Sequence, residues 1–129
     1  MRLEYFIVAE SVSIDQTTNR ISFFNVLEQI QALTFPVPLP QFTAVAHWNA
    51  QAAELENDYQ ITFLVTPPGD PLVRFDQNFR MVRERHRTLA TISGVRVERT
   101  GKMEIEVKLN GEHRASHTID IVQKPNSED

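Results

Sequence analysis

Apolar and polar residues alternate along much of this chain with a period of two, the spacing of a β-strand that has one covered face. The pattern is clearest from Phe42 to Trp48, from Tyr59 to Val65 and from Met103 to Leu109. We therefore predict three strands that direct every second side chain into a core. The single tryptophan, Trp48, falls on an apolar position and is predicted to be a core residue.

The N-terminal third also predicts strands. Residues 3–14 are rich in β-branched and aromatic side chains at both odd and even positions, which indicates a strand with both faces largely covered. Residues 15–19 are polar and predict a turn, and residues 21–24 restart the apolar pattern as the second strand of a hairpin. Residues 26–33 also have helical spacing, but they continue a β-rich run, so a strand is favoured.

Proline positions predict the connections. Pro36, Pro38 and Pro40 alternate, and the missing backbone donors favour an extended connector that crosses between two sheets. Residues 50–56 are good helix formers but fall short of the ~12 residues that an isolated helix needs, so we expect a loop with one helical turn. Residues 67–71 contain three prolines and a glycine and predict a turn.

The next segment is predicted as two strands, residues 72–82 and 89–97, the second interrupted by a bulge at Gly94. Between them, residues 79–89 fit either a strand or a short helix, and the pattern leaves both open.

The Asn110-Gly111 pair separates two alternating runs and predicts the last hairpin. A two-residue loop would set the apolar odd positions of one strand against polar even positions of the other. A three-residue loop that includes Leu109 keeps odd positions opposite odd positions, so we predict that loop. Its expected polar pairs are Lys108 with Glu112 and Glu106 with Arg114.

Together these elements predict an all-β fold, an antiparallel two-sheet sandwich of immunoglobulin-like character with about seven to nine strands. A chain of 129 residues is the usual size of one domain. We assign residues 1–122 to that domain and expect residues 123–129 to form a frayed tail.

Composition limits the classes of protein and the kinds of site that are compatible with this chain. The chain has 41% hydrophobic and 23% charged residues and a net charge of −4, as in an ordinary globular protein, and this charge weakly disfavours nucleic acid. It has no cysteine, which excludes disulfides and cysteine-ligated zinc. The N-terminus lacks the apolar length of a signal peptide or membrane span, so we expect a cytoplasmic protein with no membrane partner.

Residues 5–15 (YFIVAESVSID), residues 19–28 (NRISFFNVLE) and Phe35-Pro36 resemble a group of small uncharacterised bacterial proteins, classed as a domain of unknown function. The closing hairpin, residues 101–122, is similar to the last hairpin of many immunoglobulin-like sandwiches. The resemblance implies this fold and a bacterial cytoplasmic setting, and it implies no activity.

Histidines and carboxylates offer few candidates for chemistry. His113 and His117 lie about 13 Å apart if they share a strand, too far to bind one zinc ion. We expect them to be partly buried side chains near the face of the sheet. Glu104 and Glu106 are predicted to lie on an exposed face opposite Arg114 and Ser116, where they have no catalytic role. No metal or cofactor is predicted.

Arginines from Arg74 to Arg87 are the one compositional anomaly. With nearby phenylalanines they could bind phosphates and stack on bases. The favoured alternative is that Arg83, Arg85 and Arg87 share one strand face as a charged row that protects a sheet edge. The weak candidates for a binding role are Arg80, Arg83, Arg85 and Arg87.

The sequence contains no nucleophile elbow, phosphate loop or dinucleotide fingerprint. We therefore predict a non-enzymatic protein-interaction or scaffold module. Its partner, which can be a second copy in a homodimer, would contact a sheet face or edge. The alternatives are a nucleic-acid-binding module that uses the arginine segment and a hydrolase with an unrecognised site.

Overall fold

The computed structural model describes residues 1–125, and it confirms the predicted all-β fold. One turn of 3-10 helix spans Ala52–Glu54. The strands are β1 (Arg2–Ile14), β2 (Ile21–Val26), β3 (Gln29–Ala32), β4 (Val37–Pro38), β5 (Phe42–Asn49), β6 (Asp58–Thr66), β7 (Val73–Arg80), β8 (Arg85–Ile92), β9 (Arg96–Val97), β10 (Gly101–Leu109) and β11 (Glu112–Gln123).

The strands form two main sheets and one small pair. Sheet A has the order β2-β1-β5-β8, sheet B has the order β3-β11-β10-β6-β7, and β4 pairs with β9. All pairings are antiparallel except that of β3 with β11, which is parallel, with Ile30 opposite Ile121. Sheet B is therefore mixed, and the prediction of a purely antiparallel arrangement is wrong at this edge. After β2 the chain crosses from sheet A to sheet B, where β3 runs parallel to β11.

Both sheets contribute to one hydrophobic core. Sheet A supplies alternate residues of β5, including Phe42 and Trp48, and sheet B supplies alternate residues of β6 and β10, including Phe63 and Ile105. Trp48 is fully buried, as predicted, and its indole Nε1 donates a hydrogen bond to Thr88 Oγ1 at 3.2 Å. The period-two pattern therefore identified the core side of the central strands correctly.

The first strand is covered over only part of its length. Val8 and Ala9 are fully buried, whereas Glu10, Ser11 and Ser13 are exposed. The prediction that both faces are largely covered is wrong for this second half. The physical reason is that β1 pairs with β5 only as far as Ala9, and beyond it has β2 alone as a ladder partner.

The proline connector crosses between sheets as predicted, because β3 lies in sheet B and β5 lies in sheet A. The open choice at residues 79–89 is resolved against a helix, because β7 ends at Arg80, residues 81–84 form the connection, and β8 begins at Arg85. Gly94 was expected to form a bulge within a strand. It lies instead in the connection between β8 and β9. Its φ of +79° is a left-handed conformation that glycine adopts readily.

The last hairpin has the two-residue loop that we expected it to avoid. Leu109 pairs with Glu112, and Asn110 and Gly111 have φ values of 50° and 81°. A register shift lies between Val107 and Lys108. On the far side of it from the loop, odd-numbered residues of β10 lie opposite odd-numbered residues of β11, as predicted. Because this irregularity absorbs one residue, the predicted polar pairs are wrong. The observed ones are Lys108 with His113, Glu106 with Ser116 and Glu104 with Thr118.

At the C-terminus, Gln123 ends β11, and the backbone N–H of Lys124 donates to the carbonyl of Ala32. Residues 126–129, which belong to the predicted frayed tail, lie outside the described part of the chain. The domain assignment to residues 1–122 stays a prediction.

Candidate functional site

Three of the four candidate arginines lie on the edge strands of two different sheets, and the fourth lies between them. Arg80 ends β7 in sheet B, and its guanidinium lies 3.4 Å from Glu56 and 3.5 Å from Asp58. Arg83 lies in the connection between sheets. Arg85 and Arg87 lie on β8, the edge strand of sheet A. The expected row of three on one strand face is therefore wrong for Arg83, which precedes the strand.

The tip of the β1–β2 hairpin reaches β8 and forms a depression there. Arg87 Nη2 donates a hydrogen bond to the backbone carbonyl of Asn19 at 2.6 Å, and Nη1 donates to Asn19 Oδ1 at 3.4 Å. We call the depression the arginine–histidine pocket. It has a volume of about 460 Å³ and is lined by Ile14, Asn19, His47, Arg85, His86, Arg87 and Leu89.

Strand register explains why these side chains meet. His47 on β5 lies opposite Arg87 on β8 and opposite Tyr5 on β1, so the three form a row across sheet A. The imidazole of His47 lies 5.0 Å from the ring of Tyr5, and Tyr5 in turn contacts Phe23 of the hairpin edge-to-face at 5.8 Å. The hairpin and the sheet therefore share an aromatic contact beside the pocket.

The pocket is electropositive. Burial lowers the pKa of His47, and the guanidinium groups of Arg87 and then Arg85 lower it further. Burial also lowers the pKa of His86, with a smaller contribution from His47. Both imidazoles are consequently neutral at pH 7, and the positive charge of the pocket comes from the two arginines.

The other candidate surface is the β2 edge, which we define as the free side of Ile21–Val26 in sheet A. This strand carries no charged residue. It exposes Phe24 at 50% and Val26 at 45%, and these two apolar side chains lie on the same parity of the strand. It is therefore an edge whose side chains favour contact with another surface.

The histidines and carboxylates of the last hairpin differ from expectation in detail. His113 is exposed beside Glu106, whereas His117 is partly buried and its Nε2 contacts the carbonyl of Leu27. Glu104 lies opposite Thr118 and accepts a hydrogen bond from Ser116 Oγ at 3.1 Å. Within residues 1–125, no three histidine or acidic side chains are grouped to hold a metal ion.

Sequence reasoning missed several contributors to both surfaces. His47 was not among the predicted site residues, and Asn19 was predicted only as part of a turn. A partial signal existed, since His47 falls on the polar parity of its strand. The pairing of His47 with Arg87 could not be predicted from the sequence, because two further strands, β6 and β7, lie between β5 and β8 along the chain. The apolar exposure of β2 was likewise hidden within a sequence that looks like ordinary core.

The chain matches a family of unknown function, DUF6941, over residues 4–122. Because the match covers most of the sequence, the chain belongs to this family. No curated protein sequence matches it. Among the described residues, no helix has the length and apolar content needed to cross a membrane.

Proposed function

We propose that this DUF6941 chain is a non-enzymatic protein-interaction module that forms a homodimer by pairing the β2 edge of two copies. The observation that carries the proposal is the uncharged β2 edge with its exposed Phe24 and Val26. Antiparallel pairing of two such edges would join the two copies of sheet A into one continuous sheet. A module of this kind can serve as a scaffold, since each copy keeps its other surfaces free for further partners.

Comparison of the four sheet edges supports this choice. Exposed edges normally carry charges, stay short or twist away, because unpaired backbone groups otherwise recruit another strand. The β7 edge carries Arg74, Asp76 and Arg80, and the β8 edge carries Arg85 and Arg87. The β3 edge has only four residues. The β2 edge has six residues and none of these charges.

The geometry of β2 confines the pairing to the strand itself. Asn25 has φ 55°, and beyond the strand the backbone carbonyl of Glu28 accepts a hydrogen bond from the N–H of Asp120 in sheet B. Residues that flank β2 therefore cannot extend the ladder between two copies. Contact of the exposed apolar side chains Phe24 and Val26 supplies the larger part of the driving force.

Nucleic acid is less well supported as a partner. Arg80 lies against two acidic side chains, and Arg74 Nε lies 2.9 Å from Asp76 Oδ2. These pairs reduce the charge that a phosphate backbone would meet. The immunoglobulin-like sandwich, the absence of enzymatic activity, and a bacterial cytoplasmic setting belong to the same proposal. The shared core of sheets A and B supports its architectural part.

Light scattering coupled to size exclusion tests the dimer. The chain is expected to have twice its monomer mass at high protein concentration, and Phe24→Lys is expected to be monomeric because it places a charge in the centre of the pairing. The matched control is Val73→Lys. Val73 is also an exposed apolar edge residue, at 37%, but it lies on β7, which already carries charges.

The control variant should remain dimeric. A monomeric chain at every concentration would contradict the proposal. So would a dimer that Phe24→Lys leaves intact while Val73→Lys disrupts it, since that result would place the interface on the β7 edge.

A further inference from the structure

We infer that the arginine–histidine pocket binds the phosphate group of a small organic phosphate monoester, with the organic part of the ligand against Ile14 and Leu89. This site lies at the β8 edge and is separate from the β2 edge of the proposed dimer. The ligand therefore adds a second binding role to an interaction module.

Two guanidinium groups converge on the pocket and remain open to an anion. Within residues 1–125, neither Arg85 nor Arg87 has a carboxylate within ion-pair distance. The nearest acidic candidate, Glu4, already accepts hydrogen bonds from Arg2 at 2.6 Å and Asn49 at 2.8 Å. Glu4 is close enough to attract Arg85 electrostatically, but this single carboxylate does not balance both guanidinium groups, and a bound anion would reduce their repulsion.

The two arginines have complementary roles. Arg87 is half-buried and held by its hydrogen bonds to Asn19, so its guanidinium is fixed in place before a ligand arrives. Arg85 is exposed and lies on the same parity of β8, two residues away, so its long side chain can close over a bound group. A fixed cation and an adjustable one suit the forked, bidentate contact that guanidinium makes with phosphate oxygens.

His47 completes the polar side of the pocket. Its ring lies opposite Arg87 in the register and against the ring of Tyr5, which restricts its orientation. A neutral imidazole presents one N–H donor to a phosphate oxygen. Charge also favours phosphate over carboxylate, because a phosphate monoester carries about −1.5 to −2 at pH 7 and balances two guanidinium groups.

The remaining wall favours an organic substituent over inorganic phosphate alone. Ile14 is 40% exposed and Leu89 is half-buried, and both line the pocket together with the arginines. The volume of about 460 Å³ lies within the range of small-molecule sites, and it exceeds the size of a phosphate ion. An apolar or ring-bearing group attached to the phosphate would cover both side chains.

The test is a titration followed by amide chemical shifts in nuclear magnetic resonance, with phenyl phosphate, inorganic phosphate and benzoate as probes at constant ionic strength. Phenyl phosphate should bind saturably with a millimolar or tighter Kd, and at least about fivefold more tightly than inorganic phosphate or benzoate. The shifted amides should be those of residues 14, 19, 47 and 85–89.

Matched variants separate a built site from general attraction to positive charge. Arg85→Gln should weaken phenyl phosphate binding at least about fivefold, because it removes the adjustable cation. Arg83→Gln changes the net charge equally, but Arg83 lies before β8 and outside the pocket lining, so its Kd should stay within about twofold.

Three results would overturn the inference. They are the absence of saturable shifts, benzoate binding as tightly as phenyl phosphate, and equal weakening by Arg83→Gln and Arg85→Gln. Arg85 is exposed, so its replacement should leave the fold intact, and an unchanged urea midpoint for Arg85→Gln would verify that binding was lost from a folded protein.

Discussion

The buried hydrogen bond between Trp48 and Thr88 gives a direct test of how the core is held together. Both residues are at least 95% buried, and the indole N–H donates to the threonine hydroxyl at 3.2 Å. Thr88→Val removes the acceptor and leaves the indole donor buried without a partner. We expect this change to lower the free energy of unfolding by about 1–3 kcal/mol.

The reasoning predicts a specific coupling. In a Trp48→Phe background the donor is gone, so adding Thr88→Val should cost less than about 0.5 kcal/mol, although Trp48→Phe itself destabilises through the cavity that it leaves. Urea denaturation followed by far-ultraviolet dichroism measures all four proteins, since Trp48 cannot serve as the reporter in its own variants. With a slope typical of a small domain, the single Thr88→Val change lowers the midpoint by roughly 0.5–1.5 M.

Thr43→Val is the matched control. Thr43 is 6% exposed on the adjacent strand β5, on the opposite parity from Trp48. Its replacement should change stability by less than about 0.5 kcal/mol. Equal costs for Thr88→Val in the two backgrounds, or equal costs for Thr43→Val and Thr88→Val, would refute the assigned role of the hydrogen bond.

Three further predictions concern the outer faces and turns. Hydrogen bonds from Thr62 and then Arg74 lower the pKa of Asp76, so the stability that this carboxylate contributes is present above about pH 4 and lost as pH falls through the lowered pKa. Asp76→Asn should therefore destabilise at pH 7, with a difference that disappears in acid unfolding curves. Asn110→Gly keeps the positive φ but removes the side-chain oxygen that accepts the backbone N–H of Gln60 in β6 at 2.9 Å. Urea denaturation should show a loss of about 0.5–1.5 kcal/mol in the free energy of unfolding. Lys102→Asp should lower the free energy of unfolding by about 0.2–1 kcal/mol, because it sets a carboxylate opposite Asp120. Adding Asp120→Lys should restore the urea midpoint. A double variant that shows no recovery would contradict the β10–β11 register.

The core was predictable because it depends on a local pattern. Alternation places Phe42 and Trp48 on one side of a strand whatever its neighbours are, so the inward parity needs no knowledge of topology. The turn after Asn110 was predictable as a turn, but its loop length was not. The register shift between Val107 and Lys108 lies just before the loop, and the alternation of apolar and polar residues gives no signal for it.

The direction of β3 and the composition of the pocket were not predictable for a different reason. Whether β3 pairs parallel or antiparallel depends on which neighbour the chain meets after it crosses between sheets, and the alternation is identical in both cases. The pocket joins Asn19, His47 and Arg87 from three separate segments. Each of them looks like an ordinary turn or strand residue until the β5–β8 register and the hairpin tip bring them together.

Backbone hydrogen exchange at two protein concentrations tests the self-association of the β2 edge most directly. Amides that gain partners across the interface exchange more slowly only when the dimer is populated. We predict slower exchange for Ile21–Val26 at high concentration than at low concentration, with no change in β7. Equal exchange of Ile21–Val26 at both concentrations, or concentration-dependent protection confined to β7 or β8, would contradict the account.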